Sequence, residues 1–248
     1  MRVLYRNKSE QHELTVYETG KLYGEKGHFR VLQFSDEAVQ GVLDLEEPSR
    51  IVLEYPRAML HLMERNNPDY NCVFLVGHGI GTLSSHLSDR QVKVAELDEE
   101  VVEISQHYFS YHGPSVLVGD GRALLEREKN GIYDYIVIDA FTANGTPEQF
   151  TNRSFFNVVK QKLHAGGAVL LNVFGRSGND HLVNAIFTTL SKAFPHTRAF
   201  ALPAEPNEIQ NRILVGSLHP IEAQVKQMAG FVEQSLEEGY IIHGPVDA

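Results

Sequence analysis

Two periodicities divide the chain. Over residues 1 to about 58, short alternating or apolar runs (Leu14-Thr15-Val16-Tyr17, Phe29-Arg30-Val31-Leu32, Gly41-Val42-Leu43-Asp44) are separated by the turn signals Thr19-Gly20 and Gly24-Glu25-Lys26-Gly27. Period-two runs broken by turn residues predict antiparallel hairpins, hence a small N-terminal β-domain at 1–58. From Tyr55-Pro56 the period changes, and Ala58 to Glu64 reads as a helix leading into a first core strand. The remainder, 59–248, alternates apolar runs with helical spacing. Strands are predicted at 73–77, 92–97, 115–119, 134–139 and 167–174, with helices near 81–89, 99–109, 121–129 and 152–163. The last carries Phe155, Phe156, Val159 and Leu163 on one face, and Asp98 stands where an N-cap opens the helix at 99–109.

Strand–helix alternation over this length predicts an α/β fold, a doubly wound parallel sheet with right-handed crossovers. A helix at 180–194 and strands at 197–202 and 211–217 would close it with an antiparallel edge, and 220–238 reads as an amphipathic helix.

Chemistry enters where the strands end. The run Val73-Phe74-Leu75-Val76 is followed by Gly77-His78-Gly79-Ile80-Gly81, and Glu96 ends the next strand. Glycines suit a sharp turn that must approach a ligand closely, and an ionised carboxylate accepts hydrogen bonds from both hydroxyls of a ribose. A glycine turn alone is weak evidence. However, Asp120 follows Val116-Leu117-Val118 and Asp139 follows Tyr135-Ile136-Val137-Ile138. In an open parallel sheet, residues at successive carboxyl ends of strands converge on one crevice. The pattern predicts an adenosine-type ligand.

Composition narrows the partners. The 248 residues are 42% hydrophobic and 22% charged, ordinary values for a soluble globular protein. No apolar run reaches membrane-spanning length and the first residues lack a signal-peptide core, so a cytosolic protein with no membrane partner is expected. A net charge of −10 disfavours nucleic acid, whose phosphates require Lys and Arg. The single cysteine, Cys72, excludes an internal disulfide and reads as a packing residue. His107, His112 and His164 show no i,i+4 pairing, so no metal is expected; His78 reads as a loop residue that meets ligand through its backbone. Tyr108, Phe109 and Tyr111 read as core and interface.

A dinucleotide fingerprint wants a third glycine where Thr82 stands, and no basic side chain near the turn would neutralise a pyrophosphate. Asp120-Gly121 offers an acid to an adenine amino group. An acid-rich, base-poor site suits a sulfonium nucleoside, S-adenosylmethionine or a relative.

The order VFLVGHGIG, VAELDEEVVEISQHYF, VLVGDGRALL and YDYIVIDAF resembles the polyamine aminopropyltransferases, the spermidine and spermine synthases, from about residue 12 to 175. That resemblance implies a methyltransferase-like fold, a homodimer or homotetramer, decarboxylated S-adenosylmethionine as co-substrate and a small-molecule amine as acceptor. By position it implies Gly77, Gly79 and Gly81 in the ligand turn, Glu96 on the ribose, Asp120 and Gly121 at the adenine, Gln40 near the donor, and Asp139 as the base. The chain departs from the family pattern at three places. Ile80 replaces an aspartate in the glycine turn, Thr142 replaces the second acid of the catalytic loop, and Tyr55-Pro56-Arg57 replaces Tyr-His-Glu. Arg57, if it enters the site, favours intact S-adenosylmethionine. An S-adenosylmethionine-dependent small-molecule methyltransferase and a catalytically silent nucleoside-binding homologue therefore stand as alternatives.

Overall fold

The computed structural model describes residues 1–8, 13–34, 39–141 and 145–244. Its N-terminal part is a four-stranded antiparallel sheet, β1 (Arg2–Lys8), β2 (Glu13–Leu22), β3 (Glu25–Phe34) and β4 (Val39–Asp44), in sequential order. The expected hairpins are present, joined at Tyr23-Gly24, where both residues have positive φ as a two-residue hairpin turn requires. Thr19-Gly20 is not a turn but lies inside β2, at an irregularity between Thr19 and Lys21. Strand β1 has no counterpart among the expected elements, because its residues Arg2-Val3-Leu4-Tyr5-Arg6-Asn7 carry only a short alternation among charges.

Helix α1 (Glu54–Asn66) follows, passing through position 58, and leads to β5 (Cys72–Val76). The chain then alternates as α2 (Thr82–His86), β6 (Gln91–Glu96), α3 (Glu99–Phe109), β7 (Val116–Val118), α4 (Gly121–Glu126), β8 (Tyr133–Ile138), α5 (Arg153–Lys162), β9 (Leu163–Arg176), α6 (His181–Ala193), β10 (His196–Ala201), β11 (Ile209–Ser217) and β12 (Val232–Glu233). Helix starts follow cap chemistry: Asp98, Asp120, Asn152 and Asp180 each accept a backbone N–H of the first turn.

The main sheet has the order β12-β10-β11-β9-β8-β5-β6-β7, parallel from β9 to β7 and antiparallel from β9 to β12. Side chains alternate between its faces. Phe74 and Val76 of β5 join Ile136 and Ile138 of β8 in the cluster that takes in Leu125, Phe155 and Phe156. Val73 and Leu75 face the opposite way with Tyr135 and Val137, against Met59, Leu62 and Met63 of α1. The order of strands reverses between β5 and β8, which is where an α/β sheet opens its ligand crevice.

The helix expected at 220–238 is absent. Ala229 and Gly230 take positive φ, a short 3-10 turn covers Val225–Gln227, and β12 adds to β10 through Phe200–Glu233 and Ala201–Val232. Tertiary contacts outweigh the helical spacing. Met228 and Phe231 are buried in the core, Arg198 pairs with Glu233 at 2.6 Å, and Asn66 exchanges hydrogen bonds with the backbone of Glu222 in both directions.

The N-terminal sheet leans on α3 through Leu14, Val16 and Leu32 against Val101, Ile104 and Phe109. Polar ties reinforce this, the Tyr5 hydroxyl and Asn7 Nδ2 both donating to Glu100 Oε1. No helix among the described residues is long and apolar enough to cross a membrane.

Candidate functional site

The carboxyl ends of β8, β5, β6 and β7 are laced together by backbone hydrogen bonds. Asp139 N donates to Val76 O at 2.8 Å, Gly77 N to Ala95 O at 2.9 Å and Gly119 N to Glu96 O at 2.7 Å. Above them opens a cleft of about 650 Å³. Gln40, Gly77, Gly79, Glu96, Asp120, Gly121 and Asp139 all line it; Gly81 does not.

The glycines have different reasons to be there. A Cβ on Gly77, whose φ is +95°, would stand 1.9 Å from the Asp139 carbonyl oxygen, so no side chain fits. Gly81 opens α2 with φ +83° and lies under the Tyr111 ring, where a Cβ would come within 2.3 Å of Cδ2. Its part is to shape the turn from behind. A Cβ on Gly121 would meet Val76 Cγ1 at 2.6 Å, so this glycine lets α4 approach β5. Gly79 faces the Gln40 carbonyl, and β4 thereby forms one wall of the cleft.

Glu96 is fixed by backbone amides, Oε2 accepting from His78 N at 2.9 Å and Oε1 from Asp98 N at 3.0 Å. Burial raises its pKa above the ordinary glutamate value, against the pull of those donors. Asp120 caps α4 through Oδ1 and accepts from Gln149 Nε2 at 2.8 Å through Oδ2. Asp139 Oδ1 accepts from Asn172 Nδ2 at 2.9 Å, and the Tyr55 hydroxyl also hydrogen-bonds this carboxylate. Burial raises the Asp139 pKa, with both partners acting in the opposite direction, and the same burial holds the Tyr55 phenol protonated.

His78 is buried, with Nε2 at 2.8 Å from Ser105 Oγ. That hydroxyl spends its own proton on Val102 O, so the imidazole carries its hydrogen on Nε2. Desolvation lowers its pKa to about 4, and the ring packs edge-on against Tyr111. Its backbone N–H serves Glu96, so it acts through its main chain toward the turn's acid.

Arg57 does not enter the cleft. It is exposed on α1, with its guanidinium on the carbonyls of Leu53 and Val52 and 3.9 Å from Glu54. A first-turn position on the outer face of α1 is the cause. Ile80, in contrast, is 8% exposed and pressed onto Gly41, where a Cβ would come within 2.6 Å of Cγ2. Thr142 lies outside the described residues. No Lys or Arg lines the cleft among the described residues, and no group of three or more metal-binding side chains forms among them.

Three partners were not expected from the sequence: Tyr55 and Asn172 on Asp139, and Gln149 on Asp120. Asn172 carried a signal, a polar residue inside the apolar run Val169-Leu170-Leu171-Asn172-Val173. Gln149 sits in a connecting segment where nothing in the local pattern marks it.

Comparison with known proteins agrees with this architecture. The sequence model of the spermine/spermidine synthase domain matches residues 53–216, which include the glycine turn and all three strand-end acids. The polyamine aminopropyltransferase of Vibrio vulnificus is 26% identical over 250 residues, 95% of this chain and 79% of that one. The spermidine synthase of Coffea arabica is 26% identical over 83% of this chain, which spans 64% of its length. Among solved structures, a probable spermidine synthase from Corynebacterium glutamicum superposes with TM-score 0.72 at 21% identity, covering 88% of this chain and 81% of that one. Human methyltransferase-like protein 13, solved with SAH, gives TM-score 0.53 at 23% identity over 71% of this chain and 86% of its own. The fold is methyltransferase-like, with an extra N-terminal antiparallel β-sheet. With the domain match covering most of the chain, this protein belongs to the spermine/spermidine synthase family.

Proposed function

We propose that the protein binds decarboxylated S-adenosylmethionine in this cleft and transfers its aminopropyl group to an amine. The observation that carries the reading is the convergence of Glu96, Asp120 and Asp139 on one cleft beside the glycine turn. Glu96, already oriented by two backbone amides, has lone pairs left for the ribose hydroxyls, and Asp120 Oδ2 keeps one beside Gln149 for an adenine amino group. The position of Arg57 favours the decarboxylated donor over intact S-adenosylmethionine, because no cationic side chain among the described residues of the cleft awaits a carboxylate. An acidic cleft also favours a ligand carrying a sulfonium and an ammonium.

In the reaction, the acceptor amine must lose a proton before it can attack. Asp139 takes that proton, the nitrogen lone pair bonds to the methylene carbon beside the sulfonium, and the C–S bond breaks to release methylthioadenosine. A positioned base of this kind contributes roughly 10²–10⁴-fold, and orientation of the two reactants supplies much of the rest. Tyr55 and Asn172 hold the carboxylate in place. The family resemblance further supports a homodimer or homotetramer, which sedimentation would test.

The deciding experiment is calorimetric titration with methylthioadenosine, S-adenosylmethionine and its decarboxylated form, followed by a transfer assay with amines. Binding of methylthioadenosine and preference for the decarboxylated donor are expected. Preference for intact S-adenosylmethionine would move the assignment to methyl transfer.

A further inference from the structure

The cleft is chemically lopsided. Glu96, Asp98 and Asp120 sit at the ends of β6 and β7, whereas Asp139 ends β8 on the other side of β5. At about 4.8 Å between neighbouring strands, the Glu96 strand lies about 10 Å from β8 and about 14 Å from β9. Beyond Asp139, on the side away from those acids, the character changes.

Strands β8 and β9 are in register with Ile138 beside Leu171, which sets Asp139 level with Asn172 and joins them by hydrogen bond. Two residues further along both segments stand Phe141 and Phe174, their rings 4.5 Å apart and tilted by 53°. A two-residue step is about 7 Å. Asp139, whose carboxylate lines the cleft and can receive an ammonium, is thus followed, one side-chain step on, by the Phe141 ring, which also lines the cleft and is backed by Phe174.

Resting on the aminopropyl-transfer reading, we infer that the acceptor is a monoamine with an apolar body, its ammonium against Asp139 and its hydrocarbon along Phe141, which Phe174 backs. A linear diamine placed the same way would set its second ammonium on the aromatic pair, away from the acids of β6 and β7. An ammonium moved from water to hydrocarbon without a counter-charge is strongly disfavoured, whereas an alkyl or aryl body gains from leaving water. A phenylalanine face attracts a cation only weakly by comparison with a carboxylate.

The test titrates the full chain, saturated with methylthioadenosine, with 2-phenylethylamine and with 1,4-diaminobutane. The expected result is at least tenfold tighter binding of 2-phenylethylamine. Phe141→Asp should reverse that order, and Phe141→Leu, the milder change, should keep it. Equal or tighter binding of 1,4-diaminobutane, or binding of neither amine to the loaded protein, overturns the inference while leaving the nucleoside site standing. Failure of methylthioadenosine itself to bind removes the transfer reading, and the acceptor assignment falls with it.

Discussion

Glu96 and Asp139 are both carboxylates lifted above their ordinary pKa by burial, yet they are held in different ways. Glu96 is gripped by main-chain amides, which would survive almost any substitution around it. Glu96→Ala frees the His78 and Asp98 amides and so costs some stability, and it should weaken methylthioadenosine binding about 100-fold, as loss of hydrogen bonds to a charged acceptor of about 1.5–3 kcal/mol implies; calorimetry reads the change. Asp139 is gripped by side chains, and Asn172 Oδ1 is left without a partner. In Asp139→Asn the new amide can donate to that oxygen after the Asn172 amide turns. This variant should bind methylthioadenosine normally and lose transfer. It should also melt a few degrees higher than the parent at pH 7. The sign follows from linkage: a raised carboxyl pKa favours the fold below the unfolded value of 3.8, and that contribution is lost as pH rises through the folded value. The gain in Asp139→Asn should thus vanish near pH 3 in a pH series of melting curves. For the same reason the acid limb of the parent's kcat/KM profile should lie above the range of an ordinary aspartate.

At the scale of elements, the contact between β4 and the glycine turn decides the shape of the cleft. Ile80 fills the space above Gly41, so the position where the family resemblance implies an acid holds a hydrophobic tether between the N-terminal sheet and the glycine turn of the main domain. Ile80→Ala should cost about 2–5 kcal/mol. Gly41→Ala alone should also destabilise by collision, and the double variant should be less damaged than the two costs added, by on the order of 1 kcal/mol. Chemical denaturation of the four proteins measures this. Most elements were legible beforehand because their signals are local. The α3 bounds agree residue for residue with the expected 99–109, since Asp98 caps one end and the apolar spacing runs to Phe109. The stretch 220–238 misled because helical spacing there has another use: Met228 and Phe231 reach the core from an irregular segment pinned by Asn66, Ala199 and Arg198.

Over the whole molecule, the parallel sheet converts four separate sequence positions into one site, and burial gives that site a pH signature. His78 is kept neutral, with its pKa lowered from 6.5 to about 4. A depressed base favours the fold above its unfolded pKa, and this stability is lost as pH falls from 6.5 through about 4. His61, also lowered by burial, adds to the same trend. The histidine contribution to the denaturant midpoint should therefore fall between pH 7 and pH 4, set against the opposite contribution of Glu96 and Asp139. His78→Leu should flatten that slope without abolishing it, because His61 remains.

The sequence by itself determined the class of fold, the strand–helix order from β5 to β9, and the glycine and acids that end successive strands, because each rests on local periodicity, capping or turn chemistry. Only the tertiary structure decided that Arg57 stays outside, that Ile80 serves as a tether, that Asp139 answers to Tyr55 and Asn172, and that an aromatic pair continues the line from Asp139. Those outcomes depend on contacts between residues far apart in the chain, and such contacts leave no trace in the spacing of near neighbours.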